Sequence, residues 1–238
     1  MPKSCLVPAL ALLGCLGCAG LRHDCSPRGL SFMHRLGDPP PHLQQVCQRV
    51  PIDAKDRVHL FAINGMDPFY VGNLNGLCAC MQQLGFRNVH YGESWHTTAI
   101  REQICAIRRC EPDARIAVVG FSLGANRACR LAQELKRDGV TIDLLVYIGG
   151  DTIDNVPASR PENVGQIVNI TGHGYLPRGG DLFYNGTDID GAQNQRLNAR
   201  HMLLPTRAET VEMLTLHLIA VAQAPADRQH HLAPVLLK

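Results

Sequence analysis

"ARIAVVGFSLGANRACRLAQELKRDG" occupies residues 114–139. Its opening is apolar without alternation, the pattern of a strand covered on both faces. Its remainder carries apolar residues at helical spacing and ends on Gly139, a residue suited to stopping a helix. Between the two stands Ser122, in Gly-Phe-Ser-Leu-Gly at 120–124. A strand running straight into a helix forces Ser122 into a tight turn, and Gly120 and Gly124 remove the Cβ atoms that would collide there. Such a turn lifts the hydroxyl above the carboxyl ends of the strands, where open α/β sheets bind ligands. The helix N-terminus behind it aims backbone N–H groups at developing negative charge.

The same alternation extends in both directions. "RVHLFAIN" (57–64), "NVHYGE" (88–93), "TIDLLVYIGG" (141–150) and "NVGQIVNIT" (163–171) read as strands. Helical spacing marks "YVGNLNGLCACMQQLGF" (70–86), "TTAIREQICAIRRC" (97–110) and "TRAETVEMLTLHLIAVAQ" (206–223), with a short helix in "HLQQVCQRV" (42–50). Thr206 and Glu209 are spaced as a capping box for the last helix. Strands alternating with helices predict a mostly parallel sheet with helices on both faces, in one domain over 51–223. Residues 20–50 read as an N-terminal linker or extension, and 224–238 as a tail. No repeat period appears.

Composition narrows the function. The chain has 238 residues, 45% hydrophobic and 18% charged, with a net charge of +2. That is a globular balance with no basic stripe, and aromatics at 5% supply no base-stacking platform, so nucleic acid is not an expected partner. Lys3 followed by "CLVPALALLGCLGCAG" (5–20) has the charged start and short apolar run of an export signal over 1–19. "LLGC" (12–15) resembles the lipobox of bacterial lipoproteins, with Cys15 or Cys18 as the lipidated residue and membrane attachment point; cleavage after Ala19 gives a freely secreted chain instead. Ten cysteines in an exported protein point to disulfides. Cys78, Cys80, Cys105 and Cys129 fall in apolar helix patterns that suit buried thiols, which leaves Cys47 and Cys110 freer to pair. No metal site is expected: Cys78-x-Cys80 lacks a second pair, and Asp188 and Asp190 match no EF-hand spacing.

"VVGFSLGA" (118–125), "FAINGMDP" (61–68) and the late histidine in "NARHMLLPTRAETVEML" (198–214) resemble the α/β-hydrolases, the family of lipases, esterases, cutinases and thioesterases. The resemblance covers about residues 57–223 and identifies no subfamily. It implies a compact α/β-hydrolase fold without a large cap domain, and a nucleophile, an acid and a base in the chain order serine, acid, histidine. Ser122 is then the nucleophile. His201, just before the last helix, holds the family's position for the base; His173 follows its strand too closely, and His217 reads as packing on the last helix. Asp151, directly after "LLVYIGG", is the favoured acid, with Asp181 and then Asp154 as alternatives, because the next strand ends in "NITGHGYLP" without a carboxylate. The oxyanion hole combines the Leu123 N–H with that of Gly65 or Met66, and Asn64 braces the loop. Trp95 and His96 line a pocket rim, with Trp95 as ordinary core the competing reading. The stretch 174–195 reads as one long loop over the site.

The expected activity is hydrolysis of a carboxylic ester or thioester through an acyl-enzyme, without metal or organic cofactor. A non-catalytic partner-binding lipoprotein and an acyltransferase are the alternatives.

Overall fold

The computed structural model describes residues 25, 28–150, 159–173 and 188–225. Six parallel strands form one sheet: β1 (Val58–Asn64), β2 (Asn88–Glu93), β3 (Arg115–Phe121), β4 (Ile142–Ile148), β5 (Val164–His173) and β6 (Gln193–Arg200). Their order is β2-β1-β3-β4-β5-β6. The chain therefore winds outward in both directions from β1 and β3, and Ser122 leaves the middle of the sheet.

Every residue of β1 and β3 is buried. Successive side chains go to opposite faces. Leu60, Ala62, Val119 and Phe121 join one apolar cluster with Leu77 and Met81 of α3 (Leu74–Gln83) and Leu214 and Leu218 of α6 (Ala208–Gln223). Phe61, Ile63, Ile116 and Val118 join the other, with Ile100 and Ile104 of α4 (Thr97–Cys110) and Ala128, Leu131 and Leu135 of α5 (Leu123–Arg137). Each fully buried Leu, Ile or Phe contributes about 1.5–3 kcal/mol of transfer free energy, so the two faces together dominate the favourable side of folding. α5 stops as expected: Gly139 takes φ +71° and donates its N–H to the Lys136 carbonyl at 3.1 Å.

Residues read as linker contribute to the core. α1 (Pro41–Gln48) buries Leu43 and Cys47, Val50 follows them, and a short α2 (Ile52–Asp56) leads into β1. Burial of this stretch beside α6 comes from three apolar positions too sparse to register as a pattern.

The edge strand β6 departs from the long-loop expectation for 174–195. "QNQRLNAR" has almost no strand propensity, and only Leu197 and Ala199 are buried along it. Pairing with β5 supplies what propensity lacks, from Val168 beside Gln193 to Thr171 beside Arg196, before an irregularity between Thr171 and His173. Asn194 anchors the entry: its Oδ1 accepts from Asn169 Nδ2 at 2.8 Å and from the Ile189 N–H at 2.9 Å.

The capping box at Thr206 and Glu209 does not form. Arg207 is the N-cap of α6, with no side-chain cap bond. Thr206 instead donates to the Leu203 carbonyl at 3.2 Å, inside a 3-10 turn over His201–Thr206. His217 is half-buried and, beyond the packing role expected of it, makes polar contacts. Its ring nitrogens lie 3.1 Å from Gln166 Oε1 and 3.0 Å from Gln193 Oε1, joining α6 to β5 and β6. The seven cysteines among the described residues are all thiols; Cys47 is buried and Cys110 exposed.

Candidate active site

β3 ends at Phe121, and α5 begins at Leu123. Ser122 alone makes the turn, at φ 57° and ψ −128°. That region is strained for any residue with a Cβ. Two backbone bonds hold it there: the Ser122 N–H donates to the Ile148 carbonyl at 2.9 Å, and its carbonyl accepts from the Ala125 N–H at 2.9 Å. The side chain makes no capping bond to its own helix. Ser122 is buried at the carboxyl edge of the sheet.

The glycines around Ser122 carry the close approach. A Cβ on Gly120 would lie 2.5 Å from the Ala125 Cα, and one on Gly124 would lie 2.1 Å from the Ile63 carbonyl oxygen. The first lets the helix start fold back on its own strand; the second lets it press against β1. Gly65 closes the arrangement. A Cβ there would stand 2.8 Å from the Leu123 nitrogen and 2.8 Å from the Ser122 Cβ. The backbone after β1 thus runs alongside the first N–H of α5, bringing together the Leu123 and Gly65 positions expected for an oxyanion hole. Met66 follows on the same loop, with its side chain exposed.

That loop is braced from beneath. Asn64 is buried and donates from Nδ2 to Glu93 Oε2 at 3.2 Å, while the Tyr91 hydroxyl donates to Glu93 Oε1 at 3.2 Å. Burial and the adjacent Glu93 carboxylate push the Tyr91 phenol far above its ordinary value, so it stays a donor. Asp67, also buried, turns the chain by accepting from the Val71 N–H at 2.9 Å and the Gly72 N–H at 2.7 Å. Neither Glu93 nor Asp67 is marked by any sequence motif; a carboxylate two residues past an expected oxyanion glycine is the one signal that points to Asp67.

His201 begins the 3-10 turn after β6 and is 1% exposed. Its ring stacks on Phe121 with centroids 5.0 Å apart. It also covers Gly149, where a Cβ would lie 2.9 Å from both the imidazole Cε1 and Nδ1. Phe121 precedes Ser122, and Ile148, which accepts the Ser122 N–H, precedes Gly149. The imidazole is therefore carried to the same strand ends as the serine, although 79 positions separate the two in the chain. Burial lowers its pKa from 6.5 to about 4, which keeps it neutral at physiological pH. Phe121 is the aromatic platform that sequence reasoning missed; its ring also fills the space that a Gly72 Cβ would occupy, 2.5 Å away.

Asp151, Asp181 and Asp154 all lie outside the described residues, as do Cys15 and Cys18. β4 ends three positions before Asp151, at Ile148, with Gly149 under the His201 ring. Trp95 is 70% exposed on a 3-10 turn over Ser94–His96, which rules out the core reading; its ring meets that of His96 edge-on at 5.7 Å. Among the described residues no group of three or more His, Cys, Asp or Glu is arranged to hold a metal ion.

Several solved structures resemble the chain. One described as a Xanthomonas campestris a/b serine hydrolase without lid has 16% identity and a TM-score of 0.45, over 80% of this chain and 89% of its own. Human thioesterase 2 has 11% identity and a TM-score of 0.46, over 71% and 99%. A fungal esterase from Rhizomucor miehei has 12% identity and a TM-score of 0.44, over 73% and 78%. No family model and no curated protein sequence matches the chain.

Proposed function

We propose that the chain is a serine hydrolase of the α/β-hydrolase type that cleaves a carboxylic ester or thioester. Ser122 Oγ attacks the carbonyl carbon while the His201 imidazole takes the hydroxyl proton. The tetrahedral oxyanion is held by the N–H groups of Leu123 and of Gly65 or Met66. His201 then returns the proton to the departing alcohol or thiol, leaving an acyl-enzyme. A water, deprotonated by the same imidazole, releases the acid and restores the serine. Asp151 orients the imidazole in this scheme.

The observation that carries the reading is the backbone of Ser122. A non-glycine residue held at φ 57° between two glycines, each in close contact with the helix start or β1, is strain with a positional purpose. Support comes from the neutral, buried His201 at the same strand ends and from Gly65 against the Leu123 nitrogen. One oxyanion donor of this kind is worth roughly 3 kcal/mol of transition-state stabilisation.

A fluorophosphonate probe tests the proposal. Labelling of the folded protein that disappears in Ser122→Ala and His201→Gln is expected. A folded protein that takes no label is a binder and not this enzyme. We place the protein outside the cytoplasm, as a secreted chain or a lipoprotein anchored through Cys15 or Cys18; a mature N-terminus that begins at Cys15 or Cys18 and carries acyl mass decides for the anchor.

A further inference from the structure

Among the described residues, three that are not glycine take positive φ: Ser122 at 57°, Tyr70 at 58° and Asn73 at 52°. The last two lie in the segment that leads from Gly65 to the start of α3. For a bulky residue such as Tyr70 this backbone costs about 1–3 kcal/mol and persists only where its surroundings hold it. The segment touches the candidate active site near both ends. A Cβ on Gly65 would stand 2.8 Å from the Leu123 nitrogen, and one on Gly72 would stand 2.5 Å from Phe121 Cε1. Phe121 precedes Ser122 and carries the His201 ring.

Residues from the N-terminal extension hold this segment from outside. Gly29, at φ +47°, leaves no room for a Cβ, which would lie 2.6 Å from the Phe69 carbonyl oxygen and 3.0 Å from Tyr70 Cδ2. The Leu30 N–H donates to the Phe69 carbonyl at 2.7 Å. His34, at the end of a 3-10 turn over Ser31–His34, grips the segment twice. Its Nδ1–H donates to the Val71 carbonyl at 2.7 Å, and its own carbonyl accepts from Asn73 Nδ2 at 2.8 Å. Asn73 Oδ1 meanwhile accepts from the Gly76 N–H at 3.0 Å and caps α3. Bonds to Phe69 and Val71 thus flank Tyr70 on both sides. At the other end of the same stretch, the Arg28 guanidinium lies over the Tyr91 ring, 5.4 Å from its centroid, and Tyr91 donates to the Glu93 carboxylate that braces Asn64.

We propose that His34 is a positioning residue for the oxyanion hole, a role that rests on the serine-hydrolase reading above. By holding the Val71 carbonyl and the Asn73 amide, it keeps Tyr70 in its strained form and the path from Gly65 to α3 fixed. Gly65 then stays against the Leu123 N–H. His34 itself meets no substrate. Without its two bonds, Tyr70 relaxes toward negative φ, and the change in chain direction is passed back to Gly65. Oxyanion donors act on charge that develops in the transition state, so their displacement lowers kcat and leaves KM nearly constant.

The test assays the full chain on a chromogenic ester and follows amide hydrogen exchange over residues 64–73. His34→Ala should lower kcat by about 10-fold at nearly constant KM and slow fluorophosphonate labelling in proportion. It should also speed exchange at the Val71 and Gly72 amides, which donate to Asp67. His34→Asn should restore both readouts, because its amide nitrogen is bonded to Cγ as Nδ1 is. A purely structural role lowers the unfolding midpoint and leaves the kcat of the folded variant unchanged; that result overturns the proposal, as does a loss that His34→Asn leaves in place. Should His34→Ala not fold, His34→Phe keeps a ring without the N–H and carries the same expectations and the same refutation. A folded wild-type protein that takes no label overturns the hydrolase reading and this role with it. A wild-type protein that labels, beside a His34→Ala variant that turns over at the full rate, overturns this role alone.

Discussion

Replacing Ser122 by glycine should stabilise this protein while abolishing its proposed chemistry. Ser122 sits at φ 57°, ψ −128°, a region that glycine reaches without strain and that a Cβ makes unfavourable by about 1–3 kcal/mol. Alanine keeps the Cβ and removes only the hydroxyl, which caps nothing in its helix. The informative comparison is therefore Ser122→Gly against Ser122→Ala. At an ordinary buried position glycine is the less stable of the two, by about 0.4–1 kcal/mol, because its unfolded chain is freer. Here relief of about 2 kcal/mol of strain outweighs that entropy and leaves glycine ahead by roughly 1 kcal/mol. For a domain of this size the difference is about 2–4 °C in Tm. Urea unfolding at pH 7.5, with the slope checked for constancy, measures it directly. Both variants should fail to take a fluorophosphonate label. Equal stabilities, or alanine ahead, would mean that the turn stores no strain, and the reasoning that singles out Ser122 would fail with it.

Three further outcomes follow from the same geometry. Gly65→Ala places a Cβ 2.7 Å from the Phe121 carbonyl oxygen and 2.8 Å from the Leu123 nitrogen; turnover of a chromogenic ester should fall by about 100-fold or more as the donors are pushed apart. His201 is neutral in the folded chain down to about pH 4 but protonates near 6.5 once unfolded, so its roughly 3 kcal/mol of stability is complete above pH 6.5 and is lost as the pH falls toward 4; urea titrations between pH 7.5 and 4.5 should show a flatter decline in His201→Gln. Asp143 accepts from Arg108 at 3.1 Å and Arg115 at 3.3 Å beneath the opposite ends of the strands, and Asp143→Asn, which leaves two largely buried guanidinium groups facing a neutral amide, should cost about 2–4 kcal/mol by denaturant unfolding.

What was legible in the sequence is what local chemistry dictates. Unbroken apolar runs such as "IAVV" are strands with both faces covered, wherever in a sheet they fall. Three-to-four spacing in α4 and α5 is helical, and a serine between two glycines at a strand-to-helix junction is a tight turn. Those signals are carried within a dozen residues, so the parallel sheet and the position of Ser122 were available before any coordinates. β6 was not, because its polar residues become a strand only when β5 offers a free edge. The burial of residues 41–50 was not, because α6, more than 150 positions later, supplies the surface they cover. The stacking of His201 on Phe121 over Gly149 and the Asn64–Glu93–Tyr91 brace are contacts between segments that local pattern treats as strangers. They are decided when the sheet closes, since strand order sets which side chains share an end of the sheet, and strand order is a property of the whole chain.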